Sequence, residues 1–287
     1  MEKISTKIIN EFKKRKLSNV FNFSEIKLAN DILSEINSGI VKRLETGNYD
    51  PSHKIYLLVQ NLLSYFAEDI SILDDFEEYY DTVEEIDAEY MPSFPPMSPL
   101  TNSYITLWCF CDFRFGKTKE TISTIFYDLG KKYNFDKSVM DAINNFNSSY
   151  MGFYKHIGFD NDLIILKEIV SDIEYKCICP AGYVGRKGEI WYVRIIPNLD
   201  EVYNYHIIFT TPYIILNYSE KDWKKFFQRQ IGNSGNLKIY HFLKYHPDIK
   251  YWHNYIFEGY VNYNENCIFL TGIPDIKGSK PFEIENL

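Results

Sequence analysis

Apolar positions recur along this chain in two rhythms, and they change over near its middle. In the first half the spacing is that of helices. Ile26, Ala29, Ile32, Leu33 and Ile36 fall on one face of a helix that Ser24 is placed to cap and Gly39 to end. The run HKIYLLVQNLLSYFAEDI from His53 is apolar on several sides, as a buried helix is. Ile72, Phe76, Tyr79, Val83, Ile86 and Tyr90 then recur at spacings of four, three, four, three and four, which predicts an amphipathic helix over 69–89.

From Asp162 the pattern shortens. LIILKEIV, YKCIC, EIWYVRIIP and YHIIFTTPYIIL are rich in β-branched and aromatic residues and are separated by turn residues. They predict an antiparallel meander, curved into a small sheet or SH3-like barrel. The glycines of AGYVGRKGE, at 182, 185 and 188, read as a hairpin tip with bulges. Ser219 with Asp222 forms a capping-box pattern at the head of SEKDWKKFFQRQIG. One or two helices broken at Pro247 follow between Leu237 and Tyr263, and CIFLTG reads as a last short strand.

Between the halves the expectations are a loop, a strand and two helices. Pro92, Pro95, Pro96 and Pro99 lie within eight residues together with Met91, Phe94 and Met97, apolar side chains that favour cover. We read 91–103 as an ordered loop packed on the core, with a small-ligand site beneath it as a minor alternative. Tyr104–Phe115, apolar at both parities up to Asp112, reads as a strand covered on both faces. A helix from Thr118 to Leu129, ended by Gly130, and another begun by Asp136 follow. The fold class is therefore α+β: a helical N-terminal half, a mostly antiparallel sheet, and C-terminal helices. The expected division is 1–155 mainly helical and 156–287 β-rich, with a single intertwined domain as the alternative.

Composition narrows the function classes. Apolar residues make up 45% of the 287 and aromatics 17%, ample for a packed core, and the net charge is −8. That charge repels phosphates and disfavours nucleic acid as a partner. From Glu68 to Glu89 there are eleven Asp or Glu and no Lys or Arg, a solvated helix face or an acidic surface for a basic partner. The cluster Lys13, Lys14, Arg15, Lys16 reads as a solvated helix end, or as a contact for phosphate or an acidic partner. The N-terminus lacks the apolar segment of a secretion signal, and no run of eighteen apolar residues occurs, so we expect a cytoplasmic protein with no membrane contact.

Candidate chemistry is sparse. Cys109, Cys111, Cys177 and Cys179 form two C-x-C pairs and Cys267 stands alone; zinc sites space their cysteines wider, so these read as buried small hydrophobes in a reducing compartment. CDFRFGKT ends like a phosphate-binding loop, but Cys111 stands where the first glycine belongs and Phe113 and Phe115 crowd it. The weak catalytic candidates are charges in apolar settings, Asp112, Arg114, Glu189 and Arg194, and the histidines His241 and His253, with His246, Asp248 and Glu258 nearby. Strand parity puts Glu189 and Arg194 on opposite faces and Asp112 and Arg114 on one. Asp162, Glu168 and Glu174 offer a loose nuclease-like carboxylate set. No cofactor or metal site is expected. These features describe a bacterial intracellular binding protein acting through protein contacts, an immunity-type inhibitor or an assembly subunit, through the acidic helix 69–89 or exposed aromatics. The alternative is a metal-dependent hydrolase or nuclease with its site among the residues just named.

Overall fold

The computed structural model describes residues 2–17, 49–70, 74–91, 98–200, 202–232 and 235–280, with the side chains of 11–17 excepted. The helix expected over 24–40 and the proline-rich stretch 92–97 lie outside the described residues, as do the side chains of Lys13, Lys14, Arg15 and Lys16. The chain divides into two compact units, Met1–Tyr80 with Arg114–Asn147, and Asp81–Phe113 with Ser148–Leu287.

The first unit holds α1 (Ile4–Leu17), α2 (Pro51–Ile70), a 3-10 turn Asp74–Phe76, the opening turn of α3 (Glu77–Tyr90), α5 (Ile122–Tyr133) and α6 (Lys137–Ser148). On α2 the buried residues Tyr56, Val59, Leu63, Ala67 and Ile70 repeat every three or four positions, the stripe of a core-facing helix. The helix expected from Thr118 begins later, at Ile122. Residues 116–119 instead form a tight turn closed by a Phe115–Glu120 bridge, with Gly116 at φ +66°. Thr121 is the cap: its hydroxyl accepts from the Thr124 amide while the Thr124 hydroxyl accepts from the Thr121 amide. Gly130 does not end this helix, and the left-handed Asn134 does. Gly130 is buried where a Cβ would come within 2.9 Å of the Phe135 ring, so its smallness serves packing.

The second unit is built on eight strands in the order β1-β2-β3-β5-β4-β6-β8-β7, with an extra β1–β4 pairing that closes the first five into a barrel. These are β1 (Met151–Asp160), β2 (Leu163–Glu168), β3 (Glu174–Ile178), β4 (Ile190–Pro197), β5 (His206–Ile208), β6 (Tyr213–Leu216), β7 (Tyr260–Asn264) and β8 (Cys267–Thr271). Most neighbours are antiparallel, as the sequence predicts. The exceptions are β3 with β5 and β6 with β8, which run parallel. Strand β4 is central. It meets β1 on one edge, and β5 and then β6 along the other, which is why IWYVRII is buried throughout. Its odd residues Trp191, Val193 and Ile195 pack inside the barrel with Tyr154, Leu166, Cys177 and Ile208. Its even residues Ile190 and Tyr192 face a second core. That core is shared with α3, α4 (Asn102–Leu107), α7 (Glu220–Ile231), α8 (Asn236–Lys244) and α9 (Tyr251–Gly259).

Two expectations in this unit are corrected. Tyr104–Phe115 is not a strand: α4, capped by the Thr101 hydroxyl, runs into a π-helical turn at Trp108–Asp112. A short run apolar on every side suits a buried helix as well as a buried strand, and periodicity alone does not separate them. The AGYVGRKGE stretch is not a hairpin tip, because β3 and β4 are not neighbours. It is a long connection pinned to β1 through backbone bonds between His156 and both Gly188 and Glu189, each 2.8 Å.

Candidate functional site

Arg194 is the least expected side chain of β4, a guanidinium in an otherwise apolar strand and only 1% exposed. Desolvating it is costly unless the charge is met by partners. It is met on two sides. One guanidinium nitrogen bonds the Asp112 carboxylate, and the other donates to Ser149, to the hydroxyl at 3.0 Å and the carbonyl at 3.3 Å. The π-helical turn places Asp112 here, at the point where the chain leaves α4. A second cation arrives from the last turn of α8. Lys244 donates to the Ser149 carbonyl at 2.5 Å and sits 3.3 Å from the other Asp112 oxygen, an ionic contact rather than an aligned hydrogen bond. Two buried cations thus share one carboxylate. Burial holds the Lys244 ammonium below its ordinary proton affinity, with Asp112 opposing that shift.

The other candidates sit apart from this centre. Glu189 accepts from the Trp191 indole at 3.1 Å and the Tyr183 hydroxyl at 3.2 Å, with Trp191 on the barrel-interior face of β4, whereas Arg194 has the parity of the opposite face. His253 is fully buried on α9, edge-on to Trp108 at 4.4 Å, with Nδ1 3.3 Å from the Tyr104 hydroxyl. Desolvation, aided by the charge of Lys250, pushes its pKa down to about 3, so it is a neutral core residue at ordinary pH. His241 is exposed beside Tyr245, and His246 stacks on Tyr251 at 3.6 Å with Nδ1 accepting from the Asp248 amide. Glu258 pairs with Lys280, and Arg114 belongs to the other unit. The structure therefore joins Asp112 to Arg194 and leaves Glu189, His241 and His253 in other surroundings. Of the loose carboxylate set, Asp162 and Glu174 are exposed, and Glu168 is buried under the hydroxyls of Tyr150, Ser171 and Tyr240. Among the described residues no three His, Cys, Asp or Glu gather as a metal cluster.

No disulfide joins any of the five cysteines, and burial raises the thiol of each one for which a shift is resolved, Cys179 to about 11. In the phosphate-loop look-alike the Gly116 amide is already taken by the Glu78 carboxylate at 2.7 Å. No helix among the described residues is long and apolar enough to cross a membrane.

Two surfaces of the second unit carry segregated charge. On α3, Lys250 clamps Glu85 at 2.8 Å and Glu89 at 2.6 Å, while Asp81, Glu84 and Asp87 stay exposed with no ion pair among the described residues. The other surface is a groove of about 640 Å³ at the head of α7, lined by Lys155, Ile190, Glu220, Lys221, Lys224 and Lys225. Sequence reasoning passed over this groove; its signal was the lysines of SEKDWKK, set three and four apart on one helix. Site and fold together describe an α+β protein with a five-stranded barrel, a closed ionic centre and two oppositely charged surfaces. Comparison of the chain with protein-family models, with curated proteins and with solved structures gives no match.

Proposed function

We propose that this protein acts by binding another protein, with the exposed acid row of α3 as a contact surface. The observation that carries this reading is the contrast between two sets of carboxylates. Asp112, Glu168 and Glu189 are occupied inside the fold, whereas Asp81, Glu84 and Asp87 face outward with no ion pair among the described residues. Exposed like charges spaced every three residues repel one another, so they carry a cost that a basic partner removes. A cytoplasmic, bacterial setting belongs to the same proposal, supported by five cysteines that form no disulfide, as a reducing compartment favours. An immunity-type inhibitor or an assembly subunit fits it, since both work by surface recognition.

The test is capture from the native host with the wild-type chain and with a D81N/E84Q/D87N variant. A protein retained by the first in low salt, lost with the second and released by added salt is the expected result. Equal recovery on both baits would overturn the proposal.

A further inference from the structure

We propose that the lysine groove at the head of α7 receives the acid row of α3 from a second copy of this chain. The inference rests on the reading above that Asp81, Glu84 and Asp87 form a contact surface, and it names one partner for them.

The groove is the positive counterpart of that row within a chain of net charge −8. Its lysines divide into two kinds. Lys155, Lys167 and Lys224 surround Glu220, at 3.2, 3.7 and 2.9 Å, and Lys167 and Lys224 also hold Asp172. This network spends the acids of the groove on its own floor. Lys221 and Lys225 stand exposed with no carboxylate bonded to them among the described residues, and the Asp222 carboxylate near them is turned to the Ser219 cap.

Geometry matches as well as sign. Lys221 and Lys225 are one helical turn apart, about 6 Å along α7, and Asp81, Glu84 and Asp87 span about 9 Å of α3. An ammonium row and a carboxylate row of such spacing can pair when one helix lies along the other's groove. The long lysine stems and Ile190 give that groove apolar walls, so a docked helix buries some hydrocarbon as well as charge. The contact closes as a two-fold dimer where each acid row meets the other copy's groove at once, and builds rings or chains where only one such pair forms between two copies. Few ion pairs with modest apolar burial make it weak and salt-sensitive.

The experiment is sedimentation velocity of the full chain at low and high ionic strength, with two charge-reversed variants, D81K/E84K/D87K and K221E/K225E, each checked for unchanged thermal unfolding. Wild type should self-associate at low salt, weakening roughly tenfold or more as salt is raised. Each variant alone should be monomeric, because its two surfaces then carry the same sign. An equimolar mixture of the two should associate again, since each reversed surface meets its complement. Wild type that remains monomeric at low salt, or variants that associate as wild type does, would overturn the inference. Loss of host-protein capture by the acid-row variant alongside a monomeric wild type would leave the proposed function standing and remove only the second-copy partner.

Discussion

Asp112 balances two buried cations at once, because Arg194 and Lys244 both depend on it. Removing its charge strips two buried cations of the carboxylate they share, so Asp112→Asn should cost about 3–5 kcal/mol in urea unfolding. Lys244→Met should cost far less, since it removes a charge that burial already disfavours. That pair also has a pH signature. Lys244 binds its proton less tightly folded than its ordinary 10.5, so the unfolded chain binds more protons below that value. Stability from this group therefore rises with pH as it approaches 10.5, and Lys244→Met should flatten that rise. His253 works in the same sense at lower pH. It is neutral in the fold down to about pH 3 against an ordinary 6.5, so acidification below 6.5 favours the unfolded chain. His253→Gln should lose less stability than wild type between pH 7 and pH 4, a difference on the order of a few kcal/mol measured by chemical unfolding.

At the scale of elements, caps and turns were readable where a residue type has one physical use. Ser219 with Asp222 set the start of α7, and Asp136 set α6 through its bond to the Ser138 amide at 2.8 Å. Glycine was misread where it serves packing. Gly130 looked like a stop and lies inside α5, and Gly185 looked like part of a hairpin tip and lies against the barrel. Gly185 has φ +68°, and a Cβ there would be 2.4 Å from the buried Trp191 ring. Gly185→Ala meets backbone strain and a rigid obstruction together and should cost about 2–4 kcal/mol by thermal or urea unfolding. The strand expected at Tyr104–Phe115 failed for a related reason: full burial erases the alternation that distinguishes a strand from a helix. Strand β1 was missed because MGFYKHIGFD carries two glycines and two charges, and its register shifts between His156 and Gly158.

For the whole molecule, the charge of −8 makes the acid row of α3 an electrostatic burden in isolation. The D81N/E84Q/D87N variant removes three formal negative charges from an exposed face, so its melting temperature at low ionic strength should equal or exceed that of wild type. Added salt should close any gap, and a lower melting temperature at every salt concentration would mean that these carboxylates are structural. The sequence alone determined the fold class, since the change from helical to alternating rhythm is a local property of side chains, and it determined the acid row, since a stretch rich in carboxylates and without Lys or Arg is visible in one dimension. It also put Arg194 and Asp112 among the unusual charges, because a charge within an apolar run needs a partner wherever the chain goes. Tertiary structure alone decided who that partner is. Arg194 meets Asp112 and Ser149 from segments 82 and 45 residues away, and Lys250 reaches back to Glu85 and Glu89 across more than 160. It also closed the barrel, through the β1–β4 pairing and the parallel β3–β5 and β6–β8 contacts. Such pairings depend on loop closure and on the burial of whole faces, quantities that belong to the assembled chain and leave no mark at any single position.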